Sequence, residues 1–124
     1  MSGHGSSGAG EPALADQVRR VLETVPDAAL PMTYRQLAET LGLTPPRTIQ
    51  RVTTALEALM REDVHHGRPL VAALVVSQRG EGLPATGFFE LAAELGRLPA
   101  DPSARGEAYR EEFRRALAAR GHQA

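Results

Sequence analysis

The apolar positions of this chain change their spacing as they go, and each change marks an element. Leu14, Val18, Val21, Leu22 and Val25 recur at helical intervals, which predicts an amphipathic helix from near Pro12 or Ala13 to the break at Pro26. After a loop from Asp27 to Pro31, Leu37, Ala38 and Leu41 form the inward stripe of a second helix. Thr33 stands where a hydroxyl can cap that helix, and Gln36 three residues on completes a possible capping box. Gly42 follows the last apolar position, where a left-handed residue can end a helix. A third helix is expected to be capped by Thr44, with Pro45 and Pro46 in its first turn, where a missing amide hydrogen is tolerated. Ile49, Val52, Leu56 and Leu59, with Ala55 and Met60 beside them, commit one of its faces to the core.

His65, His66 and Gly67 break this pattern, and Leu70 to Val76 follows as a short continuous apolar run. Its length and its valines predict a buried strand. The glycine-rich stretch from Ser77 to Gly87 then reads as a loop, and strand plus loop predict a wing. Phe88 to Leu95 forms a short helix closed by Gly96. A proline-bounded linker leads to a last amphipathic helix from about Ser103 to Arg120, with Tyr109, Phe113, Ala116 and Leu117 on one face and Glu111 able to pair with Arg115. This helix is expected to fold back on the domain; the competing use is dimerisation or partner docking. The predicted fold is mainly α: a winged helix-turn-helix with a three-helix core and a short β wing, plus a C-terminal helix. Residues 1–12 read as a flexible Gly/Ser tail, 13–98 as the winged-helix domain, and 99–124 as linker and final helix.

Composition narrows the functional classes. The 124 residues suit one domain, and a formal net charge of −1 provides no global basic field, so any hold on nucleic acid must come from a local patch. Without cysteine there is no disulfide, thiolate metal site or thiol nucleophile. No apolar run is long enough to cross a bilayer, so a cytoplasmic protein with no membrane contact is expected.

The patch that remains is on the third helix. Arg47, Gln50, Arg51 and Thr54 lie on its outer face in its first half, whereas Glu57, Glu62 and Asp63 come later. In a helix-turn-helix the N-terminal part of the second helix enters the major groove. There Arg pairs with guanine, Gln with adenine, and Thr with phosphate or a thymine methyl. Arg35, Arg68 and Arg79 are the expected backbone contacts. An ordinary solvated helix face is the plainer account of the same residues.

The segments from Leu30 to Leu43, from Arg47 to Leu56 and from Arg68 to Gly82 resemble the C-terminal DNA-binding domain of the O6-alkylguanine-DNA alkyltransferases and alkyltransferase-like proteins. Thr33, Tyr34, Leu37 and Ala38 match that family's Thr-Tyr-Gly-Glu-Leu-Ala segment, and Arg47 with Ile49 falls on its Arg-Ala-Val-Gly segment. The similarity covers roughly Leu30 to Gly87, with an insertion around Arg61 to Arg68. It implies a winged-helix fold, a nucleotide-rotating role for Tyr34 and a stack-filling role for Arg47. Aligning Val75 and Val76 on the family's paired valines puts Val71, Ala72, Ala73 and Leu74 in place of the Pro-Cys-His-Arg acceptor segment. Alkyl transfer needs an activated thiolate, and the chain has none.

Other chemistry is sparse. Glu62, Asp63, His65 and His66 are clustered, yet adjacent histidines diverge in both helix and strand, and no second ligand pair sits at useful spacing. Gly80 and Gly82 lack the Lys-Ser/Thr pair of a phosphate loop, and Ser77 has no evident base. The expectation is a non-enzymatic protein without cofactor or metal that binds double-stranded DNA as a regulator or accessory recognition module. Two alternatives stand beside it. One is a protein-protein module on the same scaffold, through a homodimer or a partner on the last helix. The other senses an alkylated or flipped base without transfer.

Overall fold

The computed structural model describes residues 10–79 and 82–121. They form α1 (Gly10–Thr24), β1 (Met32–Thr33), α2 (Tyr34–Thr40), α3 (Thr48–His65), β2 (Val75–Val76), α4 (Thr86–Glu94) and α5 (Pro102–Gly121), with 3-10 turns at Asp27–Ala29 and Val71–Leu74. The fold is mainly helical, as expected. Helix α1 begins at Gly10, so helical backbone reaches into the predicted tail; the rest of that tail, residues 1–9, lies outside the described residues.

Helix α2 forms as its end signals predict. The Thr33 hydroxyl accepts the Gln36 amide at 3.0 Å and the Gln36 side chain accepts the Thr33 amide at 2.9 Å, so two otherwise orphaned donors are satisfied reciprocally. Gly42, at φ +73°, lets the chain reverse: its amide donates to Glu39 and that of Leu43 to Ala38, which closes the helix in a Schellman motif.

The start of α3 differs from expectation. Thr44 is not its cap and the two prolines are not in its first turn; the helix begins at Thr48, with Arg47 as the left-handed N-cap residue. A residue that precedes proline is pushed out of the α region, and both Thr44 and Pro45 precede one, so the helix cannot begin until the chain has passed Pro46. Ile49 is also not a core residue. It is 44% exposed, because the buried face of α3 begins one turn later, at Val52, and continues through Ala55, Leu56, Leu59, Met60 and Asp63. This face packs chiefly on α1, through Leu14, Val18 and Leu22, and then on α2 and the Val71–Leu74 turn.

The run from Leu70 to Val76 is buried throughout, but only Val75 and Val76 are strand. Hydrogen-bond accounting gives the reason. The Leu70 amide goes to Glu112 at 2.7 Å, the Val71 amide to Asp63 at 3.0 Å, and the Ala73 amide back to Leu70 at 3.0 Å. The Ala73 carbonyl accepts the Tyr109 hydroxyl at 2.8 Å. With its polar groups taken by side chains and by its own turn, the segment has nothing left for a ladder. Strand β2 pairs with β1 in parallel, Met32 opposite Val75 and Thr33 opposite Val76. Beyond it, the Ser77 amide donates to the Leu83 carbonyl at 2.8 Å, and the last two residues of the glycine-rich segment, Thr86 and Gly87, already belong to α4. Among the described residues that segment adds no second wing strand.

Helix α5 folds back, the expected one of its two uses. Tyr109 and Ala116 are buried against the Val71–Leu74 turn, and Phe88, Phe89, Tyr109 and Phe113 meet in an aromatic cluster, mostly edge to face, with centroids 5.3 to 6.2 Å apart. The expected Glu111–Arg115 pair does not form. Glu111 pairs with Arg114 one residue earlier, and Arg115 approaches Glu112 at 3.7 Å, because Glu112 faces inward and draws it.

Candidate nucleic-acid interface

Arg47, at the N-cap, and Gln50 and Arg51 are exposed and Thr54 is half-buried, all on the outer face of the first half of α3, as the sequence predicts. Among the described residues neither arginine makes an ion pair. Arg47 holds φ 64° and ψ 28°, a left-handed conformation that costs a residue with a β-carbon roughly 1–2 kcal/mol. No side chain caps α3, and its first turn carries no carboxylate, so the positive end of the helix dipole is open to solvent beside the two guanidinium groups.

The remaining site residues divide. Arg35 follows β1 and Arg79 follows β2, and because these strands are parallel neighbours, both arginines leave the same end of the sheet; both are exposed. Arg68 lies beyond the far end of α3, whose 18 residues span about 27 Å at 1.5 Å per residue. Its Nε donates to Asp63 at 3.2 Å, so it belongs to an internal ion-pair group rather than to the patch at Arg47. Tyr34 is half-buried, and its hydroxyl accepts the Ala85 amide at 3.0 Å. Burial pushes its phenol above the ordinary tyrosine value; the Ala85 amide opposes that shift and the Glu57 charge adds to it. The nearby Tyr109 is pushed up further, by burial first and then by Tyr34.

Sequence reasoning missed the buried carboxylates. Asp63, which the sequence places with Glu57 and Glu62 in the later part of the helix, is fully buried: it accepts Arg19 at 2.8 Å, Arg68 at 3.2 Å and the Val71 amide at 3.0 Å. Burial alone would lower the Arg19 guanidinium, yet its hydrogen bond to Asp63 and the charges of Asp63 and Glu62 raise it on balance. Glu112, 2% exposed, accepts the Leu70 amide and Arg97 at 3.0 Å. The two carboxylates thus hold consecutive amides at the start of the Val71–Leu74 turn. The signal was in the register: Asp63 continues the stripe Val52, Leu56, Leu59, and Glu112 lies between Tyr109 and Ala116. Both carboxylates therefore point inward.

For α3 the consequence is electrostatic. Glu62 is engaged by Arg19 at 2.9 Å, Asp63 is buried and Glu57 is half-buried, so arginines carry the unpaired charge of the outer face among the described residues. Arg61, exposed on that face, was not among the predicted contacts. Among the described residues no cluster of three or more His, Asp or Glu side chains could hold a metal ion, and no helix is long and apolar enough to cross a membrane. Comparison of the chain with protein-family models, curated proteins and solved structures found no match.

Proposed function

We propose that the chain is a non-catalytic DNA-binding protein that presents the first half of α3 to duplex DNA. The observation that carries this is the exposed, uncapped N-terminus of α3, with Arg47, Gln50 and Arg51 outward, Glu62 and Asp63 drawn into ion pairs behind it, and Glu57 half-buried. Arg47 in a strained left-handed conformation at that point fits a residue held for contact rather than for stability. Arg35 and Arg79 supply phosphate contacts from the sheet end, while Arg68 and Tyr34 have internal partners that account for them. On this reading α1, α2 and α3 with the β1–β2 pair form a winged-helix-like scaffold, related to the alkyltransferase DNA-binding domain by the segments around Tyr34 and Arg47.

Flipped-base sensing is less favoured. The positions aligned with the acceptor segment, Val71 to Leu74, are at most 6% exposed and covered by α5 through Tyr109. Docking through the last helix is less favoured too, because the apolar positions of α5 face the domain's own core. Polarisation titration of a random duplex at low salt tests the reading. Salt-sensitive binding that the Arg47→Ala/Arg51→Ala double variant largely abolishes supports it, and undetectable binding refutes it.

A further inference from the structure

Helix α3 is longer than a groove-entering first half requires, and its exposed face does not end at Thr54. Taking 100° per residue from Arg47, the positions Gln50, Arg51, Thr54, Ala58, Arg61 and His65 all fall within about 60° of one line down the helix. Every one of them except the half-buried Thr54 is exposed. With Arg47 the line carries three arginines, and none of the three makes an ion pair among the described residues.

The helix does carry carboxylates, and they sit at the margins of this line: Glu57 about 80° to one side and Glu62 about 60° to the other, as near to it as Gln50. Glu57 is half-buried on the flank where its charge acts on the Tyr34 phenol. Glu62, on the other flank, accepts Arg19 and lies 3.9 Å from Arg68, while Asp63 is buried. Ala58, at the middle of the line, leaves the helix backbone open to close approach.

We infer that α3 lies along the duplex over its whole exposed length, with Arg61 as a distal phosphate contact. This rests on the DNA-binding reading above and extends it. Arg47 and Arg61 are fourteen residues apart, or about 21 Å along the axis, which at about 3.4 Å per base step corresponds to some six base pairs. Base-edge readers cluster at the N-terminal end, in Arg47, Gln50 and Arg51. The distal half has only Arg61 and His65 to offer, so it fixes the angle of the helix on the duplex and not the sequence.

The test is a salt titration of duplex affinity by fluorescence polarisation, with the full chain as parent and with Arg61→Ala, Arg61→Lys and Arg47→Ala. Loss of one phosphate contact lowers the magnitude of the log K against log salt slope by about 0.9 and weakens binding about tenfold near ~50 mM salt, equally for unrelated sequences. Arg61→Lys restores both, since a phosphate contact needs only the charge. Circular dichroism melts of the variants confirm that this exposed position leaves the fold intact. If the parent binds and Arg47→Ala weakens it while Arg61→Ala leaves affinity and slope unchanged, the distal contact is refuted and the DNA-binding reading stands. If the parent does not bind duplex at all, both fall together.

Discussion

Removing the Asp63 carboxylate is the sharpest test of how this fold is held, because one side chain ties α3 to α1 and to the turn that follows it. In Asp63→Ala, Arg19 loses its 2.8 Å partner, Arg68 its 3.2 Å partner, and the Val71 amide its acceptor in a buried site. Breaking a buried ion pair by removing one partner costs about 3–5 kcal/mol, most of it from the charge left behind. Here the abandoned guanidiniums are 19% and 46% exposed and Glu62 remains beside Arg19, so they can rehydrate and re-pair. The Val71 amide cannot, and a buried unsatisfied donor costs about 1–3 kcal/mol. The expected loss is therefore about 3 kcal/mol. Asp63→Asn, whose single oxygen can still accept from Val71 while its amide nitrogen replaces the acceptor of Arg19 and Arg68, is expected to lose less, about 1–2 kcal/mol, since both guanidiniums can turn to water or Glu62. Urea unfolding followed by circular dichroism measures both. A loss below about 1 kcal/mol for Asp63→Ala would show that the buried carboxylate does not hold the turn. Under conditions where the variant is still folded, duplex affinity should match the parent, since the outer face of α3 is untouched.

Other outcomes follow from the same geometry. Arg47→Gly should hold or raise stability by up to about 1 kcal/mol, because glycine takes the left-handed N-cap without strain, while duplex binding falls; thermal melts and polarisation on one preparation check the opposed signs. Tyr34→Phe leaves the Ala85 amide to find another acceptor and should cost about 1 kcal/mol with duplex affinity unchanged; a loss of binding without a loss of stability would return Tyr34 to the interface. Gly42→Ala should cost about 1 kcal/mol for backbone reasons alone, as φ is +73° and nothing lies within 4 Å of an added β-carbon. The two tyrosines are the chain's whole complement, and both phenols are raised in the folded state, so ultraviolet titration should show less ionisation at pH ~10 than free tyrosine shows there. The protonated form is favoured by folding, so their contribution to stability is complete below that pH and is lost as pH climbs through the raised values.

What the sequence by itself determined was local. The capping box at Thr33 and Gln36, the glycine stops at Gly42 and Gly96, the helical phase of Val52, Leu56 and Leu59, and the outward Arg47, Gln50 and Arg51 depend on neighbours within one or two turns, and the structure keeps them all. The tertiary structure decided where polar groups cross between elements. Whether Leu70 to Val76 becomes strand or turn depends on carboxylates 8 and 42 residues away, from Asp63 to Val71 and from Glu112 to Leu70, and no spacing within the run reports them. The same holds for the surface of α3. Its first half reads as a cationic face from sequence, but that Glu62 and Asp63 are engaged by Arg19 and Arg68, with Arg61 unpaired among the described residues and in line with Arg47 and Arg51, follows only once α1 is laid against α3.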